Sequence, residues 1–376
     1  MHLVYSDDYR KYDFGSYHPM RRERWFVTKQ LMEKLSLFGR NLILHEPRLA
    51  TRKELLMVHS EDYLSYVEAR SRDGQGFLDF GDTPAFVGMF EAASLMAGGS
   101  LTAAEIVATG KDRIAFNIGG GFHHAGRSRA AGFCIFNDVA LAIKHLLDVL
   151  GVERVLHIDV DVHHGDGTQE ILYEEPRVLK VDFHEDGRFL YPGTGFVEEI
   201  GRGKGEGYMV NVPLPPHTYD EAYLYAFREI VEPLAEAFQP DVITVEFGVD
   251  THFRDPLAHL NLTTKAYEEL ARLLLQLSKN HGKDKLVLFG GGGYRLGTVA
   301  RAWTIVAATL AGLHLPEETP EDWRSEFEEE VATEAAPIWL RDKERPVLAR
   351  EELNRIESEV SRVVERVKQI IFRYHL

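Results

Sequence analysis

The chain has only one cysteine, Cys134, among its 376 residues. A single cysteine excludes an intrachain disulfide and a metal site built from several thiolates. The N-terminal residues lack the apolar core of a signal peptide, and no apolar run reaches the length of a membrane span. We therefore expect a cytoplasmic protein with no membrane attachment.

Basic residues are also scarce relative to acidic ones. Lys and Arg number 43 against 59 Asp and Glu, which gives a formal net charge of −16. A nucleic-acid-binding protein needs a basic face, so this balance argues against that class. The hydrophobic fraction of 44% is typical of a globular protein with a full core, and the length suits one large α/β domain or two small ones.

Short apolar, β-branched runs alternate with longer stretches of helical character. The predicted strands are 114–117, 155–158, 178–181, 242–245 and 286–289. The predicted helices are 89–108, 139–150, 219–237, 264–279 and 298–311. This alternation predicts a parallel sheet covered by helices on both faces.

The composition changes near residue 315. Residues 316–334 are strongly acidic, and 351–373 form a predicted amphipathic helix with its apolar stripe at Ile356, Val360, Val363, Val367 and Ile370. We favour a main domain over residues 1–315, with 316–376 as an acidic segment and a C-terminal helix docked on that same domain. An oligomer interface is the alternative use of the helix.

The most informative polar run follows the strand at 155–158. Residues 159–167 read Asp-Val-Asp-Val-His-His-Gly-Asp-Gly. In an extended segment, the spacing of Asp161 and His163 would place both side chains on one face, where they can bind one cation. Asp159 and Asp166 would then be free to orient histidines.

Polar motifs also follow three other predicted strands. They are Gly119 to His124, Glu246 to Asp250, and Gly290 to Tyr294. Ligands of open α/β sheets bind beyond the carboxyl ends of the strands, so we expect the four motifs to form one site.

Asp250 is the natural third metal ligand beside Asp161 and His163. Two carboxylates and one imidazole with open positions are typical of a catalytic Zn²⁺ or Fe²⁺ site. For Asp250 taken alone, a helix cap is the alternative. The tandem histidines His123 and His124 become tuned acids or bases when a buried carboxylate holds them.

The glycine run before Tyr294 has two interpretations. Its Gly-x-Gly spacings allow a phosphate loop, but it has no following Lys-Ser/Thr and no ribose-binding acid at a suitable distance. We favour a tyrosine hydroxyl directed at a carbonyl oxygen, where it would stabilise a developing oxyanion.

Taken together, these motifs resemble the zinc-dependent histone deacetylase superfamily and, within it, the bacterial acetoin-utilisation-type deacetylases. The similarity extends over roughly residues 3–315. The matching segments are Tyr17 to Met20 with Arg24, Asp82 to Pro84, Gly119 to His124, Gly132 to Cys134, Asp159 to Gly167, Pro192 to Gly195, Gly248 to Asp250, Asp255 to Leu257, and Gly290 to Tyr294.

The resemblance implies a three-layer α/β/α fold with a central, mainly parallel, eight-stranded sheet. It implies removal of acetyl groups from acetyl-lysine side chains of proteins, with Zn²⁺ or alternatively Fe²⁺ as cofactor. The implied metal ligands are Asp161, His163 and Asp250. The implied catalytic residues are His123 paired with Asp159, His124 paired with Asp166, and Tyr294, which polarises the acetyl carbonyl. We favour His124 as the residue that moves the proton.

The resemblance also implies how substrate is bound. Gly132 and Phe133 match one wall of a tunnel for the acyl-lysine chain, and Tyr191 stands on the opposite wall where phenylalanine is usual. Asp82 matches a rim carboxylate that binds the substrate backbone, and Arg24 an arginine of an internal cavity that handles acetate. A monovalent cation, K⁺ or Na⁺, is implied near Asp159, where Asp182 replaces an expected serine.

Other functions stay open at this point. An arginase-type enzyme needs a second metal ion, but Gly165 and His252 stand where it would want acids. An acetylpolyamine amidohydrolase would use the same groups on a small acetylated amine. A metal-binding regulatory protein without catalysis is the alternative of another class. For a protein substrate, an acetylated acyl-CoA synthetase fits the acetoin-utilisation resemblance.

Overall fold

The computed structural model describes residues 1–39 and 41–376. Over these residues, eight strands form a single sheet in which all neighbouring strands are parallel. The strands are β1 (His2–Val4), β2 (Ile43–His45), β3 (Ile114–Asn117), β4 (Val155–Asp159), β5 (Val178–Glu185), β6 (Met209–Leu214), β7 (Val242–Glu246) and β8 (Leu286–Phe289). Their order across the sheet is β2-β1-β3-β8-β7-β4-β5-β6. The predicted α/β class with a parallel eight-stranded sheet is confirmed.

Helices connect and cover these strands. They are α1 (Glu23–Lys34), α2 (Arg52–Leu55), α3 (Glu61–Asp73), α4 (Met89–Ala108), α5 (Asp138–Asp148), α6 (Asp166–Leu172), α7 (Asp220–Phe238), α8 (Thr264–His281), α9 (Leu296–Leu310), α10 (Glu321–Val331), α11 (Arg350–Val367) and α12 (Arg373–His375). Short 3₁₀ turns span Asp7–Lys11 and Gly203–Gly205, and a π turn spans Lys368–Phe372. Helices α4, α5, α7, α8 and α9 differ from the predicted bounds by at most two residues at either end.

The sheet is buried on both faces. Side chains alternate between the two faces of a strand. Val155 of β4 therefore joins a core cluster with residues of α4 and α5, and Leu156 joins a larger cluster with α7, α8 and α9. Because neither face meets water, the strands are almost continuously apolar, which is why they could be recognised from the sequence.

The C-terminal residues pack against the rest of the chain. Helix α11 contacts β6 and α7 and buries Ile356, Val360, Val364 and Val367. The expected stripe at Val363 and Ile370 is shifted by one residue, because Val364 and Ile371 are the fully buried members. The buried positions Val360, Val364, Val367 and Ile371 keep the ordinary helical spacing of three and four residues, so the shift begins before the π turn. Within the described residues, no helix has the length and apolar character to cross a bilayer.

The topology explains why the polar motifs meet. Strands β3, β8, β7 and β4 are consecutive neighbours in the sheet. The register pairs Asn117 with Phe289, Phe289 with Glu246, and Glu246 with Asp159, so the four strands end at the same level. The loops that follow them therefore face one another across a short distance.

Candidate active site

Three side chains at this edge converge on one point. His163 Nδ1 lies 3.1 Å from Asp161 Oδ1 and 3.1 Å from Asp250 Oδ2. One potential ligand atom from each residue lies within 4.8 Å of the other two, and all three residues are buried. The structure thus brings together the three residues that the sequence suggested as metal ligands.

The segment that presents Asp161 and His163 differs from the expectation. Strand β4 ends at Asp159, and 161–163 form a bend and not an extended strand. The two side chains nevertheless meet, because the bend is held by the His163 N–H, which donates to Asp161 Oδ1 at 2.9 Å. Asp250 is not a helix cap: its Oδ1 accepts from the Val162 N–H at 2.9 Å.

The glycine run after β8 supports these carboxylates directly. The Gly292 N–H donates to Asp161 Oδ2 at 2.6 Å. A Cβ at Gly292 would lie 1.9 Å from Asp250 Oδ2, so no larger residue fits there. The run lets the backbone approach the carboxylates, which accounts for it without a phosphate ligand.

The pKa values of His163 and Asp250 indicate that a positive charge is stabilised between these side chains. Burial alone would lower the pKa of His163, but Asp161 and Asp250 raise it to about 10. Burial and the neighbouring Asp161 raise the pKa of Asp250 to about 6. A divalent cation supplies such a charge, and two carboxylates with one imidazole fit Zn²⁺ or Fe²⁺.

The tandem histidines lie beside this cluster, each held by a carboxylate. His123 Nδ1 lies 3.0 Å from Asp159 Oδ2, and His124 Nδ1 lies 2.8 Å from Asp166 Oδ1. The two Nε2 atoms are 3.2 Å apart. Both pairings are those that the resemblance implied.

The two histidines differ in charge. For His123, burial would lower the pKa, but the Asp159 carboxylate raises it to about 9. Burial, and then the positive charge of His123, lowers the pKa of His124 to about 4 despite its contact with Asp166. Environments that separate two pKa values in this way are typical of an acid and base pair.

An aromatic slot leads to the cluster. The Tyr294 ring centroid lies 5.8 Å from that of Phe133 and 6.4 Å from that of His163. The Tyr191 ring lies 5.1 Å from His124 and 6.4 Å from His163, and Tyr191 is 42% exposed. Tyr191 and Phe133 therefore both line the approach to the metal ligands, with Tyr191 reaching the surface.

The Gly132–Phe133 wall has a constrained backbone. Phe133 has φ of 69°, a left-handed conformation that costs free energy for a residue with a side chain. It is held on both sides: the Tyr12 hydroxyl donates to its carbonyl at 2.7 Å, and its N–H donates to Thr83 Oγ1 at 3.2 Å. Gly132 has φ of 52°, and a Cβ there would lie 2.5 Å from His124 Cδ2.

The remaining predicted substrate residues lie on either side of this slot. Asp82 is exposed, and its carbonyl contacts His18 Nε2 at 3.1 Å; the His18 ring in turn lies 4.6 Å from the Phe133 ring. Arg24 is buried beneath the site, where its guanidinium donates to the Gly291 carbonyl and lies 4.8 Å from the Trp303 ring. A narrow pocket beneath the site is lined by Arg24 and by both tandem histidines.

Several supporting residues were not identified as such from the sequence. Asp255 accepts from the Tyr294 N–H at 2.8 Å, and Arg129 lies 3.1 Å from the second oxygen of Asp166. Buried Asp138 accepts from the N–H groups of Gly121 and Phe122, which shapes the loop before the histidines. Only Asp255 had a local signal, the Asp-Pro-Leu motif; the others depend on long-range packing.

Comparison with known proteins identifies the chain's relatives. A family profile described as Histone deacetylase domain matches residues 18–310. An acetoin utilization protein AcuC of Bacillus subtilis (strain 168) is 40% identical over 345 residues, which covers 90% of this chain and 89% of that protein. A probable deacetylase of Archaeoglobus fulgidus is 40% identical over 316 residues, with 83% and 87% covered.

Solved structures give the same relationship. The crystal structure of an HDAC homolog complexed with SAHA superposes with a TM-score of 0.85 at 31% sequence identity, covering 98% of this chain and 99% of that one. The chain therefore belongs to the histone deacetylase family. As a member, it is a deacetylase of a metal-dependent class of hydrolases.

Proposed function

We propose that this histone deacetylase family member hydrolyses the acetyl amide of acetyl-lysine side chains in proteins, with one Zn²⁺ or Fe²⁺ held by Asp161, His163 and Asp250. The observation that supports this most strongly is a single juxtaposition. The three candidate ligands, two carboxylate-held histidines and Tyr294 meet at the inner end of one aromatic slot.

The slot suits the shape of an acyl-lysine chain. A lysine side chain brings four methylenes, and burying each stabilises the complex by about 0.8 kcal/mol. Phe133 on one side and Tyr191 on the other supply apolar surface for these methylenes. The exposed position of Tyr191 lets its hydroxyl meet water or the substrate backbone.

The reaction breaks the amide C–N bond and consumes one water. A divalent cation bound at the three ligands would polarise the amide carbonyl and lower the pKa of a bound water. Because Asp166 holds Nδ1 of His124, the Nε2 of that ring is left to accept the proton of the attacking water. The Tyr294 hydroxyl donates a hydrogen bond to the carbonyl oxygen as that oxygen becomes an oxyanion.

Collapse of the tetrahedral intermediate then releases acetate and the lysine amine. The amine takes up a proton from the histidine pair, whose Nε2 atoms are 3.2 Å apart. Asp159 and Asp166 orient the two rings throughout. Arg24 lines the narrow pocket beneath the site, where its guanidinium can attract the acetate anion.

An acetylpolyamine substrate is the second candidate, and Asp82 bears on the choice. Exposed Asp82 directly precedes Thr83, whose Oγ1 accepts from the Phe133 N–H at 3.2 Å, and its carboxylate can accept hydrogen bonds from a peptide backbone. A polyamine has no such backbone. For the protein partner we propose an acetylated acyl-CoA synthetase, in keeping with the acetoin-utilization names of the bacterial relatives.

The test is a turnover panel with the purified, metal-loaded protein. Acetyl-lysine peptides and acetylated diamines of matched length are compared by kcat/KM, with acetate release as the readout. We expect the peptides to be preferred. Preference for the diamines would reject the protein substrate, and no acetate from either class would reject catalysis and favour a regulatory metal-binding role.

A further inference from the structure

A buried lysine lies behind the active site. Lys180 of β5 is 1% exposed, and its ammonium contacts the Asp182 carboxylate. Lysine is almost never fully buried unless it is paired with an opposite charge. The proposed reaction makes no use of this ion pair, so its retention in the core calls for a separate reason.

The pair belongs to a polar face shared by two neighbouring strands. Lys180, Asp182 and His184 alternate along β5 and therefore point to the same face. The register sets Lys180 beside His157 of β4 and Asp182 beside Asp159. All five side chains are buried. The register therefore leaves two carboxylates, Asp159 and Asp182, directly opposite each other in the core, which is destabilising without a cation.

Short contacts link the pair to the catalytic histidine. Asp182 Oδ2 accepts from the Gly165 N–H at 3.0 Å. A Cβ at Gly165 would lie 2.6 Å from Asp159 Oδ2 and 3.4 Å from Asp182 Oδ2, so both carboxylates border the same backbone segment. Asp159 in turn holds His123 Nδ1 at 3.0 Å. A charge at Lys180 therefore acts on the group that orients His123.

The residues present do not fit the monovalent cation that the resemblance implied near Asp159. The Asp182 carboxylate is fully engaged: Oδ1 lies 2.6 Å from His184 Nδ1, and Oδ2 meets both the Lys180 ammonium and the Gly165 N–H. A K⁺ or Na⁺ ion at this position would lie beside the ammonium. Like charges repel strongly in the interior, where screening is weak.

We propose that the Lys180 ammonium takes the place of a bound monovalent cation in this protein. Lys180 neutralises Asp182 from within the chain, which removes the repulsion between Asp182 and Asp159, and it acts as a positioning residue for His123. The folded state and turnover should therefore be independent of K⁺ and Na⁺.

The first test uses the unmodified, metal-loaded protein. Its thermal unfolding is followed in KCl, NaCl and choline chloride at equal ionic strength, and with increasing K⁺ replacing choline. We expect the same unfolding temperature in all three salts. A saturable increase with K⁺ or Na⁺ would overturn the proposal, because it would show a cation site beside the lysine.

The second test removes the internal cation. Lys180→Ser eliminates the ammonium and leaves room and an oxygen for an ion, so its unfolding temperature should be low in choline chloride and rise saturably with KCl. Lys144→Ser is the matched control, because Lys144 forms ion pairs with Asp148 and Glu175 on another part of the chain. The control should respond equally to all three salts. Failure of KCl to restore Lys180→Ser, whether it unfolds or only loses stability, would overturn the proposal.

A kinetic readout separates positioning from mere stability, and it alone rests on the proposed function. In choline chloride, folded Lys180→Ser should show kcat roughly 10- to 100-fold below the unmodified protein, with KM little changed and kcat restored by KCl. Unchanged kcat would remove the positioning role. The unfolding tests need no substrate, so they stand even if acetyl-lysine is not hydrolysed.

Discussion

Removal of the Tyr294 hydroxyl should slow catalysis without disturbing the site. The Tyr294 backbone is held by Asp255 at 2.8 Å, and its ring packs 5.8 Å from the Phe133 ring, so Tyr294→Phe keeps its position. What is lost is one hydrogen bond to the developing oxyanion. Such a donor is worth about 2.7–4 kcal/mol of transition-state stabilisation, which corresponds to a loss of roughly 10²- to 10³-fold in kcat.

Steady-state kinetics on an acetyl-lysine peptide measure this loss, with KM expected to change little because the bond is strongest in the transition state. Tyr191→Phe is the matched control: it removes the same hydroxyl from the other side of the slot, where Tyr191 is 42% exposed. The control should stay within a few-fold of the unmodified protein. A Tyr294→Phe variant as active as the control would refute the assigned role of the hydroxyl.

Three further predictions concern other parts of the molecule. Asp82→Ala should reduce kcat/KM for peptides more than for acetylated diamines, because only peptides offer backbone N–H groups to this rim carboxylate. Gly132→Ala should reduce kcat by roughly 100-fold, since its Cβ would lie 2.5 Å from the His124 ring and displace it. Asp342→Asn should lower the free energy of unfolding by about 3–5 kcal/mol, because it removes the carboxylate charge that lies 3.0 Å from the buried guanidinium of Arg301.

The Asp342 prediction also has a pH dependence. Burial would raise the pKa of Asp342, but His252 and Arg301 lower it below the ordinary value of 3.8. The stabilisation that the Asp342 carboxylate contributes to the folded state is therefore complete above pH 3.8 and is lost as the pH falls further. The difference in unfolding free energy between the unmodified protein and Asp342→Asn should be constant near neutrality and shrink in stronger acid. A difference that grows on acidification would contradict the assignment.

Each of these variants has a matched control. Asp148→Ala removes a surface carboxylate near the amino ends of the strands and should affect both substrate classes equally. Gly151→Ala has a similar φ of 72° but nothing within 4 Å, so it should leave kcat unchanged. Asp322→Asn loses an ion pair to Lys34 at the surface and should cost less than about 1 kcal/mol. If a variant and its control change the measured quantity equally, the contact to which the effect of the variant was attributed is not its cause.

The parts of the fold that sequence could predict are those with local patterns. The buried central strands are continuous apolar runs, and the polar motifs directly follow them, so both the sheet and the meeting of Asp161, His163 and Asp250 could be anticipated. Strands β1, β2 and β6 were not predicted. The first two are three residues long, and β6 contains Asn211 and Pro213, which weaken its strand character.

Other features depend on contacts between distant segments. His252 follows the metal-ligand motif closely in sequence, yet its Nε2 contacts Asp342 of the C-terminal part at 2.9 Å. The role proposed for the Lys180–Asp182 pair likewise depends on Asp159, which lies opposite Asp182 on the neighbouring strand. Periodic patterns in the sequence cannot predict such pairings, because the pairings arise from sheet register and tertiary packing.

The most direct test of the central claim is metal content measured together with acetate release. The protein is stripped of metal, titrated with Zn²⁺ or Fe²⁺, and assayed on an acetyl-lysine peptide beside Asp250→Ala. We predict one ion per chain, acetate release that follows ion content, and loss of both in the variant. Two ions per chain, or full acetate release from metal-free protein, would contradict the account.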